Sequence, residues 1–330
     1  MANILVTGGA GYVGSHVLRP LIEQGHRPIV LDDLSRGHRE MATHHPQVQL
    51  VEGSLEDRHL LAQLLREHRI DAVMHYAALA YVEESLHRPG DYYQVNTAGT
   101  LTLVQEMVAY RPEQPPPLVF SSSCAVYGQA DSAPIPEQTR QQPITPYGRS
   151  KLAAEWLIND MAAAHGFAAV ILRYFNAAGA EPEHGLGEWH EPETHLIPLA
   201  LRAAESGQPF LIRGTDFDTP DGTAVRDFVH VSDLAAAHLA ALHYLLAGGD
   251  SADFNLGSGC GHSVRQVLSS VERATHRPIT AQAAPRRPGD PGLLICDSRK
   301  ASAVLGWTPM HQSLDRIVAD AATWEAQRCG

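Results

Sequence analysis

"TGGAGYVGSH", residues 7–16, joins a short apolar run, "NILVT" (3–7), to a stretch with helical spacing, "GSHVLRPLIEQG" (14–25). It satisfies two glycine patterns at once, Gly9-x-Gly11-x-x-Gly14 and Gly8-x-x-Gly11-x-x-Gly14. A strand, a tight turn and a helix in this order need glycine for three reasons. One glycine allows the turn, one lets backbone N–H groups approach a pyrophosphate, and one allows close helix packing. The helix N-terminus adds partial positive charge. The second apolar run, "RPIVLDD" (27–33), carries Asp32, 18 residues past Gly14. A carboxylate there accepts hydrogen bonds from an adenosine ribose and repels a 2′-phosphate, so the expected cofactor is NAD and not NADP. Arg36 and Arg39 lie just beyond and could serve a phosphate.

Outward from this unit the alternation continues. "VQLVEG" (48–53), "DAVMHYA" (71–77), "PLVFSSS" (117–123) and "AAVILRYF" (168–175) read as buried parallel strands. "DRHLLAQLLREH" and "NTAGTLTLVQEMVAY" between them have helical spacing. The pattern predicts an α/β fold, a Rossmann-type doubly wound parallel sheet with helices on both faces and ligands at the carboxyl ends of the strands. After about residue 175 the texture changes. A Gly/Pro/His-rich segment (177–195) reads as a functional loop, and helical runs near 196–206, 231–247, 263–276 and 312–326 alternate with short strands. The expected organisation is a dinucleotide-binding domain over 1–175 and a smaller C-terminal α/β substrate domain over 176–330, with the chain crossing between them more than once.

The bulk numbers exclude several classes. The chain has 330 residues, a net charge of −12 and 44 % hydrophobic residues. An acidic balance argues against a general nucleic-acid or anionic-membrane binder. No apolar run reaches the length of a membrane span. The cysteines (Cys124, Cys260, Cys296, Cys329) are scattered and "THH" (43–45) has no partner cluster, so neither a disulfide framework nor a metal site is expected. A reducing, cytoplasmic setting follows.

"TPYGRSKLAAEWL" (145–157) reads as a helix start, with Thr145 as N-cap and Pro146 in the first turn. Tyr147 and Lys151 stand at i and i+4, one turn apart on one face. The chain has 25 basic side chains, and Lys151 and Lys300 are the only lysines. A lysine retained in so arginine-biased a sequence points to its compact, rotatable donors, which reach a ribose hydroxyl better than a planar guanidinium does. An ammonium beside a phenol also favours the phenolate and lowers its pKa. "SSSCAVYG" (121–128) ends the fifth strand and supplies the Ser123 hydroxyl near the same strand ends. Cys124 beside it has no adjacent histidine and reads as a packing residue.

The stretches "LVTGGAGYVGSH", "VMHYAALAYVEES", "YYQVNTAGTL", "FSSSCAVYG", "PYGRSKLAAE", "LRYFNAAGA", "DGTAVRDFVHVSDLA", "NLGSG" and "APRRPGD" together resemble the extended short-chain dehydrogenase/reductase family over essentially the whole chain. The sixth and seventh are specific to its nucleotide-sugar 4-epimerase branch. The resemblance implies reversible inversion at C4 of UDP-glucose and UDP-galactose through a 4-keto sugar, with tightly held NAD. It implies Tyr147 as the group that moves the 4-hydroxyl proton, Ser123 as hydrogen-bond partner of the same oxygen, and Lys151 as holder of the nicotinamide ribose and depressor of the tyrosine pKa. By motif matching, cofactor contacts fall to Gly8, Gly11, Tyr12, Val13, Gly14, Asp32, Asp33, Ser54, Leu55, Tyr76, Ala77, Ala78, Ala80, Asn96, Ser121, Tyr147, Lys151 and Phe175. Substrate contacts fall to Ser123, Asn176, His195, Leu196, Leu211, Arg213, Arg226, Arg287, Asp290 and Leu294. A homodimer is common in the family.

Several positions depart from the family's best-known form. Ser54 replaces an aspartate and Ala80 a lysine near the cofactor. His195 replaces an asparagine and Arg213 an aromatic near the nucleotide. Leu294 falls where some members carry a tyrosine, which leaves room for an N-acetyl group. Cys124 and Ala125 stand where 4,6-dehydratases of the fold place Asp-Glu, so dehydration is disfavoured. A UDP-pentose 4-epimerase shares the chemistry and stays open, as does, more distantly, a non-catalytic NAD sensor.

Overall fold

The computed structural model describes residues 1–130, 132–287 and 290–329. Its main sheet has seven parallel strands: β1 (Asn3–Thr7), β2 (Arg27–Asp32), β3 (Gln49–Glu52), β4 (Ala72–His75), β5 (Leu118–Ser123), β6 (Ala169–Tyr174) and one later strand. The further strands are β7 (Asn176–Ala178), β8 (Phe210–Arg213), β9 (Val225–His230), β10 (Ala252–Leu256), β11 (Gly261–Ser263), β12 (Ala281–Ala284) and β13 (Leu293–Leu294). The sheet order is β10-β6-β5-β4-β1-β2-β3. The strand direction of travel reverses between β1 and β4, where an open α/β sheet leaves its crevice.

Alternation along the strands explains why both faces are covered. Ile4, Val6 and Val30 point to one face, against Leu18, Leu21 and the helix Val231–Leu246. Leu5, Ile29 and Leu31 point to the other, against Leu61, Leu65, Leu103, Met107 and Ile158. Strands buried on both faces must be apolar throughout, which is why they read as unbroken runs. Helix Tyr12–His16 gives way to helix Leu18–Glu23 at Val17. Pro20 has no N–H for the His16 carbonyl, so the ladder cannot run through.

A second layer rests on the strand ends. β9 is flanked by β11 (antiparallel) and β13 (parallel), and β7 pairs with it as well, while β8 and β12 form a separate parallel pair. Helices Leu196–Ser206, Val264–Thr275 and Leu314–Cys329 close around Ile197, Leu201, Val267, Val271, Ile317 and Val318. Within the segment expected as a second domain, Val231–Leu246 and β10 return to the main sheet.

Candidate active site

The three glycines divide the work physically. Gly8 has φ +73°, and a Cβ on it would lie 2.4 Å from the Ala77 nitrogen, so only glycine lets the β1 turn lie against the chain leaving β4. A Cβ on Gly14 would meet the Gly8 carbonyl oxygen at 2.3 Å, which makes Gly14 the packing glycine. Gly11 is different: a Cβ there would find only one neighbour, at 3.4 Å, so its outer face is open. That open face at a helix N-terminus is where a pyrophosphate fits.

Asp32 is buried and accepts from the Ala10 and Leu34 N–H groups, each at 2.9 Å. Burial raises its pKa, with these two hydrogen bonds opposing. Asp33 is exposed and accepts from Ser35 N–H. The arginines beyond are occupied: Arg36 pairs with Glu84 at 2.6 Å and lies over the Tyr81 ring, and Arg39 pairs with Glu52. Neither is a free phosphate anchor, which agrees with NAD over NADP.

Other expected cofactor residues line the same switch point. Tyr12 donates from its hydroxyl to the Gly179 carbonyl at 2.7 Å, tying the loop to the segment after β7. Val13 packs on the core, Leu55 is buried, and Ser54 accepts from Glu56 N–H. Tyr76 buries a hydroxyl with no partner among the described residues. Ala77 N–H bonds the Thr7 carbonyl, Ala78 is half-buried, and Ala80 is exposed. Asn96, expected as a direct contact, makes its side-chain hydrogen bonds within the protein. Its amide clamps both backbone groups of Leu79, at 2.8 and 2.9 Å, and reaches Ser150 Oγ at 3.0 Å, so it shapes the 77–81 loop.

The residues expected to do chemistry converge at the end of β5. Thr145 caps helix Pro146–His165 through Gly148 N–H, a contact worth about 1 kcal/mol. The first turns of that helix bury Tyr147 and Lys151. Lys151 donates from Nζ to the Ser121 carbonyl at 2.8 Å and lies 4.8 Å from the Phe120 ring centroid, which fixes the helix to β5. Ser121 Oγ is joined to His238 Nε2, at 2.6 Å. Ser123 accepts from Ala125 N–H at 3.2 Å, and Phe175 is buried beside Cys124, Leu152 and Leu294. Burial pushes the Cys124 thiol up to about 12, as suits a packing residue.

The electrostatics correct one expectation. Burial pushes the Tyr147 phenol up to about 12, with a hydrogen bond to the Ser123 hydroxyl pulling the other way. Burial also pulls Lys151 down to about 7, against the Glu155 carboxylate. Lys151 does not depress the tyrosine here, because desolvation dominates both groups and the ammonium points its donor at Ser121.

On the substrate side, Asn176 opens β7 with a buried Oδ1 that has no partner among the described residues. Arg226 bonds Asp290 and donates to the Pro291 and Val225 carbonyls at 2.7 and 2.8 Å. Arg287 faces Glu83 at 3.5 Å, so "APRRPGD" reaches back to the first unit; its Pro288 and Gly289 lie outside the described residues. Leu196 starts a helix, Leu211 and Arg213 are exposed on β8, and His195 bonds Glu188. Two networks were missed by sequence reasoning. One is the buried Arg173–Glu155 pair, whose members are an unremarkable strand arginine and helix glutamate in the sequence. The other is the cluster around Glu188, whose signal was the density of His and Glu in residues 188–195.

The sequence pattern of the family described as "NAD dependent epimerase/dehydratase family" matches residues 4–257. A UDP-glucose 4-epimerase from Rhizobium meliloti is 46 % identical over 327 residues, covering 99 % of this chain and 98 % of that protein. The crystal structure of UDP-glucose 4-epimerase from Brucella ovis in complex with NAD is 42 % identical, with a TM-score of 0.92 over 98 % of each chain. That of UDP-glucose-4-epimerase from Stenotrophomonas maltophila with bound NAD and formylated UDP-arabinopyranose is 36 % identical, with a TM-score of 0.94 over 100 % of each chain. With agreement of this extent in sequence and in backbone, the chain belongs to the NAD dependent epimerase/dehydratase family.

Proposed function

We propose that this chain interconverts UDP-galactose and UDP-glucose by inverting C4 through a transient 4-keto sugar, with NAD as resident cofactor. The convergence of Ser123, Tyr147 and Lys151 at the carboxyl end of β5, two strands from the glycine loop, carries the reading. NAD, when bound, accepts a hydride from the sugar carbon and returns it. The open face of Gly11, Asp32 at the end of β2 and the unpartnered Tyr76 hydroxyl fit that group. Tyr147 takes and returns the proton of the 4-hydroxyl, and Ser123 holds the same oxygen. Lys151 donates to the nicotinamide ribose. A phenol raised by burial needs positive charge nearby to ionise, and a bound cationic ring would supply it.

The first unit, 1–175 with the returning Val231–Leu256, holds the dinucleotide, and the remainder holds the nucleotide sugar. Asn176 offers its free Oδ1 to the sugar. Arg226 and Arg287 serve the diphosphate, a task for which the guanidinium fork is suited. Asp290 accepts from a uridine ribose hydroxyl, and His195, Leu196, Leu211 and Arg213 line the nucleotide. Binding energy spent on the nucleotide leaves the sugar free to turn over. Leu294 belongs to the apolar cluster of Cys124, Leu152 and Phe175, so the sugar pocket ends on a leucine and accepts an N-acetyl group.

The test is NMR of UDP-galactose incubated with purified protein and no added NAD. UDP-glucose appears, and UDP-N-acetylgalactosamine also turns over. Silence with both hexoses after NAD is supplied would overturn the reading; silence with the N-acetyl sugar alone would remove the role given to Leu294. A UDP-pentose epimerase would turn over UDP-xylose in the same assay and leave the hexoses untouched.

We infer a cytoplasmic homodimer. The thiols of Cys124, Cys260 and Cys296 are free, as a reducing compartment keeps them. No helix among the described residues is long and apolar enough to cross a membrane. Trp156 is 60 % exposed on helix Pro146–His165, and an exposed tryptophan suits an interface anchor. Trp156→Glu shifts the protein from dimer to monomer in sedimentation velocity; a wild-type monomer would rule the dimer out.

A further inference from the structure

Residues 188–195 read Glu-Trp-His-Glu-Pro-Glu-Thr-His. One donor atom each from Glu188, His190, Glu193 and His195 lies within 4.8 Å of the other three. Four donors about 2.0–2.2 Å from one ion stand about 3.3–3.6 Å apart, so closing the set needs the wider pairs to contract and the directly bonded Glu188 and His195 to separate.

Three details favour a ligand set over a simple ion-pair cluster. His190 Nδ1 is 3.1 Å from Glu188 Oε1 yet makes no aligned hydrogen bond. The Glu193 side chain is 1 % exposed, and its Oε2 has no hydrogen-bond partner among the described residues. Its other oxygen is held by the Thr194 and His195 N–H groups, at 2.7 and 2.8 Å. The carboxylate is thus oriented by the backbone with one oxygen left over, as hydrogen bonds behind a metal's ligands orient them. The loop is braced from outside by Trp324, whose Nε1 donates to the Glu188 carbonyl at 2.9 Å.

Two imidazoles and two carboxylates form a borderline donor set that suits zinc and not magnesium or calcium. Four protein ligands leave no open position, the mark of a structural site. We propose that Glu188, His190, Glu193 and His195 hold a structural Zn²⁺ that pins residues 188–195 against the cofactor cleft. His190 makes edge contacts with Tyr12 of the glycine loop (6.2 Å) and with Tyr81 after β4 (5.5 Å). The ion therefore stiffens a segment lying across both walls of the switch point. His195 is then shared between the ion and the nucleotide lining, the metal readouts do not depend on the epimerase reading, and the site departs from the sequence expectation of no metal.

Untagged protein, purified without chelator and assayed by inductively coupled plasma mass spectrometry, carries about one zinc per chain. After stripping, Co²⁺ restores occupancy with the visible absorption of tetrahedral cobalt, and Zn²⁺ raises the melting temperature. His190→Ala and Glu193→Gln each lose the cobalt spectrum and the zinc-dependent shift, while His165→Ala, outside the cluster, keeps both. Circular dichroism of the stripped variants separates lost binding from lost folding. Zinc far below one per chain with no cobalt spectrum overturns the site, and so does binding that survives in both cluster variants, which would mark an adventitious ion only.

Discussion

Tyr147→Phe lowers kcat for UDP-galactose by about 10²–10⁴-fold, the range supplied by a positioned proton-transfer group. The substitution removes one oxygen from a buried ring and leaves its packing, so folding and NAD retention stay close to wild type. Cofactor content is read by absorbance after denaturation, in parallel with the rate. A variant that keeps more than about a tenth of the rate would remove Tyr147 from proton transfer, because loss of a general base costs far more. A sensor that merely carried NAD would be untouched by the change. The burial that pushes this phenol up to about 12 also means that the rate depends on positive charge supplied at the site.

Glu155→Gln costs about 3 kcal/mol of stability, near the lower end for breaking a buried ion pair. Glu155 is 1 % exposed and meets Arg173, itself 5 % exposed, at 2.7 Å. It also accepts from Ser122 on β5. Removing the carboxylate leaves a buried guanidinium with the half-solvated Asp253, at 2.7 Å, and the Tyr127 hydroxyl, at 3.0 Å. That remnant keeps the loss from being larger. Urea denaturation at neutral pH measures it; a change under about 1 kcal/mol would show that Asp253 and Tyr127 alone satisfy Arg173.

The same variant has a second readout. Lys151 falls from 10.5 to about 7 through burial, with Glu155 opposing. A lysine whose folded pKa lies below its unfolded one costs stability fully below about pH 7, and the cost fades as pH rises towards 10.5. Without Glu155 the folded value moves lower still, so the rise of stability with pH begins at lower pH. An unchanged pH profile would mean that the carboxylate acts on Arg173 alone.

Much of the site was legible because its elements are local. The glycine loop, its following acid and the i,i+4 pair of Tyr147 and Lys151 each sit within one turn or one strand–turn–helix unit, where spacing alone fixes which side chains share a face. The central strands were legible because burial on both faces demands apolar runs, whereas β3, also expected to be buried, lies at the sheet edge and is only partly covered. The loop-shaping hydrogen bonds of Asn96 were not legible because their partners, Leu79 and Ser150, lie 17 and 54 residues away. The tyrosine pKa was misread because a spacing rule carries no desolvation term, and desolvation is the larger effect at Tyr147.

The amino-acid sequence by itself determined the doubly wound sheet and the dinucleotide loop with its preference for NAD, since each follows from periodicity or from motif spacing, while the Ser, Tyr and Lys set was an expectation carried by the family resemblance. Only the tertiary structure decided which glycine faces the ligand, that Arg36 and Arg39 are spent on Glu84 and Glu52, that Val231–Leu256 rejoins the first sheet, and that four side chains of residues 188–195 turn their donors toward one point. Those outcomes depend on contacts between distant segments and on how deeply each charge is buried, and neither quantity exists until the chain has packed.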